Sequence, residues 1–225
     1  MIVRAIGSAL AGRRPVRIGF AVGIVLLAIG VASWLVWRPQ EKPQAHFVEV
    51  ADSAYILPKP DPVATFNLVN QDNATFDNSA LKGKWSFLFF GFTHCPDVCP
   101  TTLAVFNQVH HELDQRPQGA SDVQFVFVSV DPERDTPQLL KAYVTSFNPA
   151  FIGVTGNGAD LARLSDSLGV VYQKVPGATP DQYFMDHSSA VLLIDPRGQL
   201  RGVFAAPHVA QKIVTGFAAI REQSG

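Results

Sequence analysis

Cys95 and Cys99 are the only cysteines in this 225-residue sequence, and they stand four positions apart in Gly91-Phe92-Thr93-His94-Cys95-Pro96-Asp97-Val98-Cys99-Pro100. On a turn opening into a helix, that spacing lets both sulfurs face one point in space. The chemistry it suits is capture of a soft metal ion or a reversible disulfide. A purely structural disulfide is the weaker reading, because closing so short a loop removes little chain entropy. Asp97 is placed to act as N-cap and Pro100 falls in the first turn. The helix dipole is then expected to lower the pKa of a thiol at that end.

Two thiolates make an incomplete metal site. Zinc wants four ligands, and its structural sites draw on more Cys and His than this chain offers, whereas Cu(I) is soft, prefers thiolate and tolerates fewer donors. A Cys2His set is the natural completion, and the chain has six histidines to supply it. His187, in Tyr183-Phe184-Met185-Asp186-His187-Ser188-Ser189, directly precedes an apolar run and reaches the cysteine loop if a strand edge carries it there. A lone loop histidine is more often a surface or structural residue. His94 adjoins Cys95, yet neighbours on a turn point apart, so a tuning or solvent role suits it better. His110 and His111 fall about three turns into a helix and straddle its surface. His46 lies in a spacer and His208 near the start of the last helix.

The elements that must position these residues follow from hydrophobic pattern. Trp85–Gly91 and Val123–Val130 are aromatic and β-branched runs of the kind that form central strands buried on both faces. Between them Leu103, Val105, Phe106, Val109 and Leu113 recur at helical spacing, giving a strand, helix, strand unit with a right-handed crossover. Helices are expected over 137–147, 158–168 and 209–220, a short strand over 151–155, and a hairpin from 190 to 204 turning at Pro196-Arg197-Gly198. The fold class is α/β with a central mixed sheet, and the thioredoxin-like arrangement is the member of that class with cysteines after its first core strand. Asp131-Pro132-Glu133-Arg134-Asp135-Thr136-Pro137, at the carboxyl end of the second core strand, is expected on the same rim as the cysteine loop, as a capped loop with internal ion pairs that also shapes the rim.

Ahead of this unit, Ile18 to Trp37 carries no charge and only Ser33 is polar, long enough as a helix to span a bilayer. Arg4, Arg13, Arg14 and Arg17 precede it, so residues 1–17 are expected in the cytoplasm and the bulk of the chain outside. A cleaved signal peptide is the competing reading, with a small-residue site at Val31-Ala32-Ser33, but Trp34-Leu35-Val36-Trp37 extends the apolar run past it. Arg13-Arg14 as a twin-arginine signal lacks that motif's following residues. Residues 38–62, with Pro39, Pro43, Pro58, Pro60 and Pro62, read as an extended tether, and the folded domain is expected over 63–225. Beyond the four N-terminal arginines, 14 of the 18 basic residues face 19 acidic ones, a net charge of −5 that disfavours nucleic acid as partner.

Three separated motifs, Thr93 to Pro100, Asp131 to Pro137 and Asp186-His187-Ser188, behind one N-terminal anchor, resemble the Sco/SenC family of membrane-tethered copper proteins that assist cytochrome c oxidase assembly. The resemblance spans roughly Asp61 to Arg221. It implies a thioredoxin-like fold in which Cys95, Cys99 and His187 bind one copper ion, as Cu(I) and also Cu(II), while Asp97 supports the site by orienting the loop. It further implies an anchor in the inner membrane with the domain in the periplasm. The partners would be the copper-containing oxidase subunit, whose dinuclear centre receives the metal, and a copper-donating chaperone. The alternative within the same family is thiol:disulfide oxidoreductase action by Cys95 and Cys99 on the copper-site cysteines of that subunit.

Overall fold

The two apolar runs expected as doubly buried strands lie side by side near the centre of a nine-stranded sheet. The computed structural model describes residues 26–31, 33–34, 47–116, 119–177 and 182–224. The chain divides into two units, 1–44 and 45–225. In the first, residues 26–31 and 33–34 are helical. Among the described residues no helix is long and apolar enough to cross a membrane; the span expected over 18–37 falls mostly outside them.

The second unit contains β1 (Val48–Ala51), β2 (Ala54–Pro62), β3 (Asn67–Asn70), β4 (Thr75–Asp77), β5 (Trp85–Gly91), α1 (Val98–Asp114), β6 (Val123–Ser129) and α2 (Pro137–Phe147). It continues with β7 (Ile152–Thr155), α3 (Gly158–Ser167), β8 (Tyr172–Pro176), β9 (Tyr183–His187), β10 (Val191–Ile194), β11 (Gln199–Phe204) and α4 (Ala210–Glu222). The sheet order is β1-β2-β11-β10-β5-β6-β7-β3-β4, and β8 pairs with β9 in a separate two-stranded ribbon.

Every residue of β5 and β6 is buried, and the two run parallel in register from Trp85↔Val123 to Gly91↔Ser129. A parallel pair needs a crossover, which α1 provides. The Phe87 and Phe125 rings stack at 5.1 Å, and Phe106 of α1 packs 5.1 Å from Phe125. Burying each such ring contributes about 1.5–3 kcal/mol, so this aromatic layer fixes the end of β5 from which the cysteine loop departs. Antiparallel β10 and β11 complete the mixed sheet on the other side of β5. The expected turn at 196–198 joins them, with Gly198 at φ +79°, a conformation that favours glycine.

The helices over 137–147 and 158–167 begin at side-chain caps: Thr136 Oγ1 accepts from Leu139 N, with Pro137 following, and Asn157 Oδ1 accepts from Asp160 N. One boundary differs more. Residues 54–62, expected as part of the tether ahead of a domain starting near Val63, form a nine-residue strand paired antiparallel with β11, from Ala54↔Phe204 to Pro62↔Gln199. The prolines do keep the chain extended. They are tolerated because, among the described residues, β1 pairs with β2 only over Ala54–Ile56, so no strand on that side asks the Pro58–Pro62 half for an N–H donor.

Candidate metal centre

The cysteine loop leaves β5 at Gly91, where a backbone without Cβ is required by what lies beside it. A Cβ at that position would meet Cys99 Sγ at 2.6 Å and Phe127 Cε2 at 2.8 Å. The chain then turns, with Cys95 N donating to Phe92 O at 3.2 Å, and α1 starts at Val98, three residues earlier than the apolar spacing alone suggests. Cys99 therefore sits inside the first turn and is fully buried, whereas Cys95 is half-buried; both are free thiols.

Burial, the dominant cause, pushes the Cys99 thiol well above the ordinary thiol range, and the nearby Cys95 and Asp135 add to the rise. The dipole-based expectation of a lowered thiol fails at this sulfur, because withdrawing a thiolate from water outweighs a helix terminus. Asp97 occupies the N-cap position, but its side chain is exposed and makes no cap hydrogen bond; only its carbonyl engages, accepting from Thr101 N at 3.2 Å.

His187 is the last residue of β9, and the ribbon brings its Nε2 to 3.6 Å from Cys99 Sγ. The ligand atoms of Cys95, Cys99 and His187 all lie within 4.8 Å of one another, the only such group among the described residues. The imidazole is wedged edge-on against Phe89 at 5.9 Å and Phe92 at 6.0 Å, and its Nδ1 lies 3.0 Å from Ser188 O. Donation from Nδ1–H to that carbonyl leaves the Nε2 lone pair facing the sulfurs, the tautomer a metal ligand needs. Two sulfurs and one imidazole, one sulfur enclosed and the other two donors half-buried, fit a soft ion of low coordination number that enters and leaves by ligand exchange.

The other histidines stand elsewhere. His94 is exposed, with Nδ1 3.1 Å from Thr93 Oγ1. His110 is half-buried beside Phe125 and His111 is exposed on α1. His208 lies just before α4, as expected, and His46 is outside the described residues.

The Asp131–Pro137 loop does more than sit on the rim. Asp135, fully buried, accepts from Thr93 N at 3.0 Å, Thr93 Oγ1 at 2.6 Å and Ser129 Oγ at 2.6 Å, and so pins the cysteine loop. Asp131, also buried, accepts from Tyr183 OH at 2.8 Å and pairs with Arg134. The Arg134 guanidinium lies over the Tyr183 ring, 3.6 Å from its centroid, and donates to Tyr183 O, while Lys174 Nζ also lies over that ring, 3.9 Å from its centroid, and pairs with Glu133. One loop thus holds both the cysteine turn and the ribbon that carries His187. Sequence pattern placed this loop on the rim but singled out neither Asp135 nor Tyr183; the available signal was a cluster of charges at the carboxyl end of a largely apolar strand.

A mixed α/β sheet with a Cys2His cluster at the carboxyl end of a core strand defines a narrow class, and comparison with known proteins gives the family. The SCO1/SenC family pattern matches residues 57–221. A SCO2-like protein of Rickettsia felis is 37% identical over 180 residues, covering 78% of this chain and 84% of its own. The structure of Bradyrhizobium japonicum ScoI with copper bound superposes with a TM-score of 0.63 at 35% identity, covering 72% of this chain and 99% of that one. Arabidopsis thaliana ScoI with copper bound gives 0.66 at 34% identity, covering 71% and 98%. This chain belongs to the SCO1/SenC family.

Proposed function

We propose that this protein is a membrane-anchored copper metallochaperone, with Cys95 and Cys99 as thiolates and neutral His187 holding one copper ion for transfer to the dinuclear copper centre of cytochrome c oxidase. The observation that carries the reading is the convergence of the three ligand atoms within 4.8 Å. Copper-bound structures of two relatives support the choice of metal. The partial exposure of Cys95 and His187 leaves two donors accessible to an incoming ligand while Cys99 stays enclosed, which favours transfer over permanent storage. The apolar, charge-free segment 18–37 would anchor the domain on the outer side of the inner membrane, in the periplasm, with residues 1–17 in the cytoplasm. The partners on this reading are the oxidase's copper-containing subunit and a copper donor.

Reconstitution followed by measurement of copper per chain tests the ligand set. The parent is expected to hold one equivalent and His187→Ala to lose tight binding; equal stoichiometry and affinity in the two would refute it.

A second reading is favoured by the unequal exposure of the two thiols. Cys95, reachable from solvent, would attack a target disulfide, and buried Cys99 would resolve the mixed disulfide, leaving Cys95–Cys99 oxidised and the target as a dithiol. Reduction of one target disulfide in the oxidase subunit per chain by reduced, metal-free protein, undiminished in His187→Ala, is the result this reading requires.

A further inference from the structure

His187 ends β9, and only Ser188, Ser189 and Ala190 separate it from Val191, where the chain re-enters the main sheet. The direction of those three residues decides where the imidazole points. Ser188 is tied to the segment before β8: its N donates to Val171 O at 2.9 Å, and its Oγ accepts from Val171 N at 3.0 Å. Ser189 is held from a different part of the chain. His208, in the turn ahead of α4, donates from Nε2 to Ser189 O at 2.7 Å. The two imidazoles flank one ring, with Phe89–His187 at 5.9 Å and 76° and Phe89–His208 at 6.3 Å and 84°.

His208 is an unusual choice for plain packing. With its proton on Nε2, its Nδ1 carries a bare lone pair, and that atom is buried without a hydrogen-bond partner among the described residues. A leucine would fill similar space without a bare ring nitrogen but would take the donor from the Ser189 carbonyl, so what the imidazole supplies at the cost of an unpaired Nδ1 is that one hydrogen bond.

We propose that His208 is a positioning residue for His187. By fixing the Ser189 carbonyl and one side of the Phe89 ring, it sets the direction in which the chain leaves the ribbon and holds His187 Nε2 toward Cys99 Sγ. His208 itself stands outside the converging ligand group. The metal readout of this inference rests on the copper-binding reading; metal-free protein supplies a readout that does not.

The test compares the parent with His208→Leu, which keeps volume, His208→Gln, which restores a side-chain N–H at similar reach, and His187→Ala. Copper affinity by chelator competition, the thiolate-to-Cu(II) absorption band, the His187 ring-nitrogen resonances of metal-free protein and the thermal midpoint are measured on each. His208→Leu is expected to weaken copper binding about tenfold, to shift the band and to move the His187 resonances without copper, at a near-parent thermal midpoint. His208→Gln is expected to recover the parent values. A leucine variant with parent affinity, band and resonances overturns the proposal, as does a glutamine variant no closer to the parent than leucine. If the leucine variant does not fold, glutamine decides alone: parent-like His187 resonances support the proposal, and displaced ones in a folded protein overturn it. Parent protein that binds no copper, or His187→Ala that binds it like the parent, removes the copper reading and leaves the metal-free resonances to judge His208.

Discussion

The hydroxyl of Thr93 and the buried carboxylate of Asp135 lie 2.6 Å apart, joining the loop that carries Cys95 to the loop that follows β6. The same carboxylate takes the Thr93 N–H and the Ser129 hydroxyl, so one side chain satisfies three donors beside the candidate metal centre. Asp135→Leu strands all of them and is expected to lower stability by about 3 kcal/mol, with Asp135→Asn, which keeps an acceptor, losing about 1 kcal/mol. Urea unfolding of the two variants checks the order, and copper affinity is expected to fall in the same order as the loop loosens.

Tyr183 anchors the other half of the site. Burial first, and donation to the Asp131 carboxylate second, push its phenol up to about 12. The hydroxyl therefore remains protonated, and able to donate, across the range where an ordinary tyrosine near pH 10 ionises. In an ultraviolet pH titration, Tyr183→Phe is expected to remove a late-titrating tyrosine and leave the earlier part of the curve in place. Loss of the bond should cost roughly 1 kcal/mol and speed amide exchange in β8 and β9 more than in β5. Uniform acceleration through the domain would contradict the view that this contact serves the ribbon.

Much of this arrangement is legible in the residue order, for identifiable reasons. Trp85–Gly91 and Val123–Ser129 are dominated by aromatic and branched apolar residues, with only Ser86, Gln124 and Ser129 polar, because both faces are covered. The helix over 137–147 announces its start through Thr136-Pro137, a cap and a residue that tolerates the first turn. The strand over 54–62 is obscured because its prolines look like spacer, and only pairing with β11, some 140 residues away in sequence, shows which of its edges is free. The carboxylate that pins the cysteine loop is Asp135, distant from it in sequence and brought close by the parallel register of β5 and β6. The Cys99 thiol is raised against the helix dipole for a physical reason: the dipole is visible in sequence, the burial that opposes it is not.

Acid should weaken the domain partly through Asp160 at the start of α3. Hydrogen bonds from Asn157 and Arg163 hold its carboxyl below the usual aspartate range, and it also accepts from Asn67 N at 3.2 Å, tying the helix to β3. A group depressed on folding contributes stability that is fully present above its unfolded value and lost as pH falls through the folded one. Asp160→Asn is therefore expected to lower the urea midpoint at neutral pH, with the difference from the parent narrowing below about pH 4 and closing once the folded carboxyl is protonated. A difference constant from neutral to strongly acidic pH would assign the effect to packing.

Gly91 sets the most exacting steric condition on the site. It is the last residue of β5, paired in parallel register with Ser129, and its backbone conformation is one that any residue adopts. The need for glycine is one of space: an added Cβ would lie 2.6 Å from Cys99 Sγ and 2.8 Å from Phe127 Cε2. Phe127 is locked in the core, so the sulfur must move, and with it the first turn of α1. Gly91→Ala is expected to cost about 1–3 kcal/mol in urea unfolding, the usual range for overpacking a filled interior. It should also weaken copper binding beyond what the lost stability explains, because Cys99 Sγ and His187 Nε2 would no longer face each other at 3.6 Å. Gly153→Ala serves as the control, since a Cβ there meets Leu140 Cβ at 3.1 Å on α2, away from the sulfurs. Destabilisation in both variants with loss of copper affinity only in Gly91→Ala is the expected result; equal affinity in the two would show that the sulfur tolerates displacement.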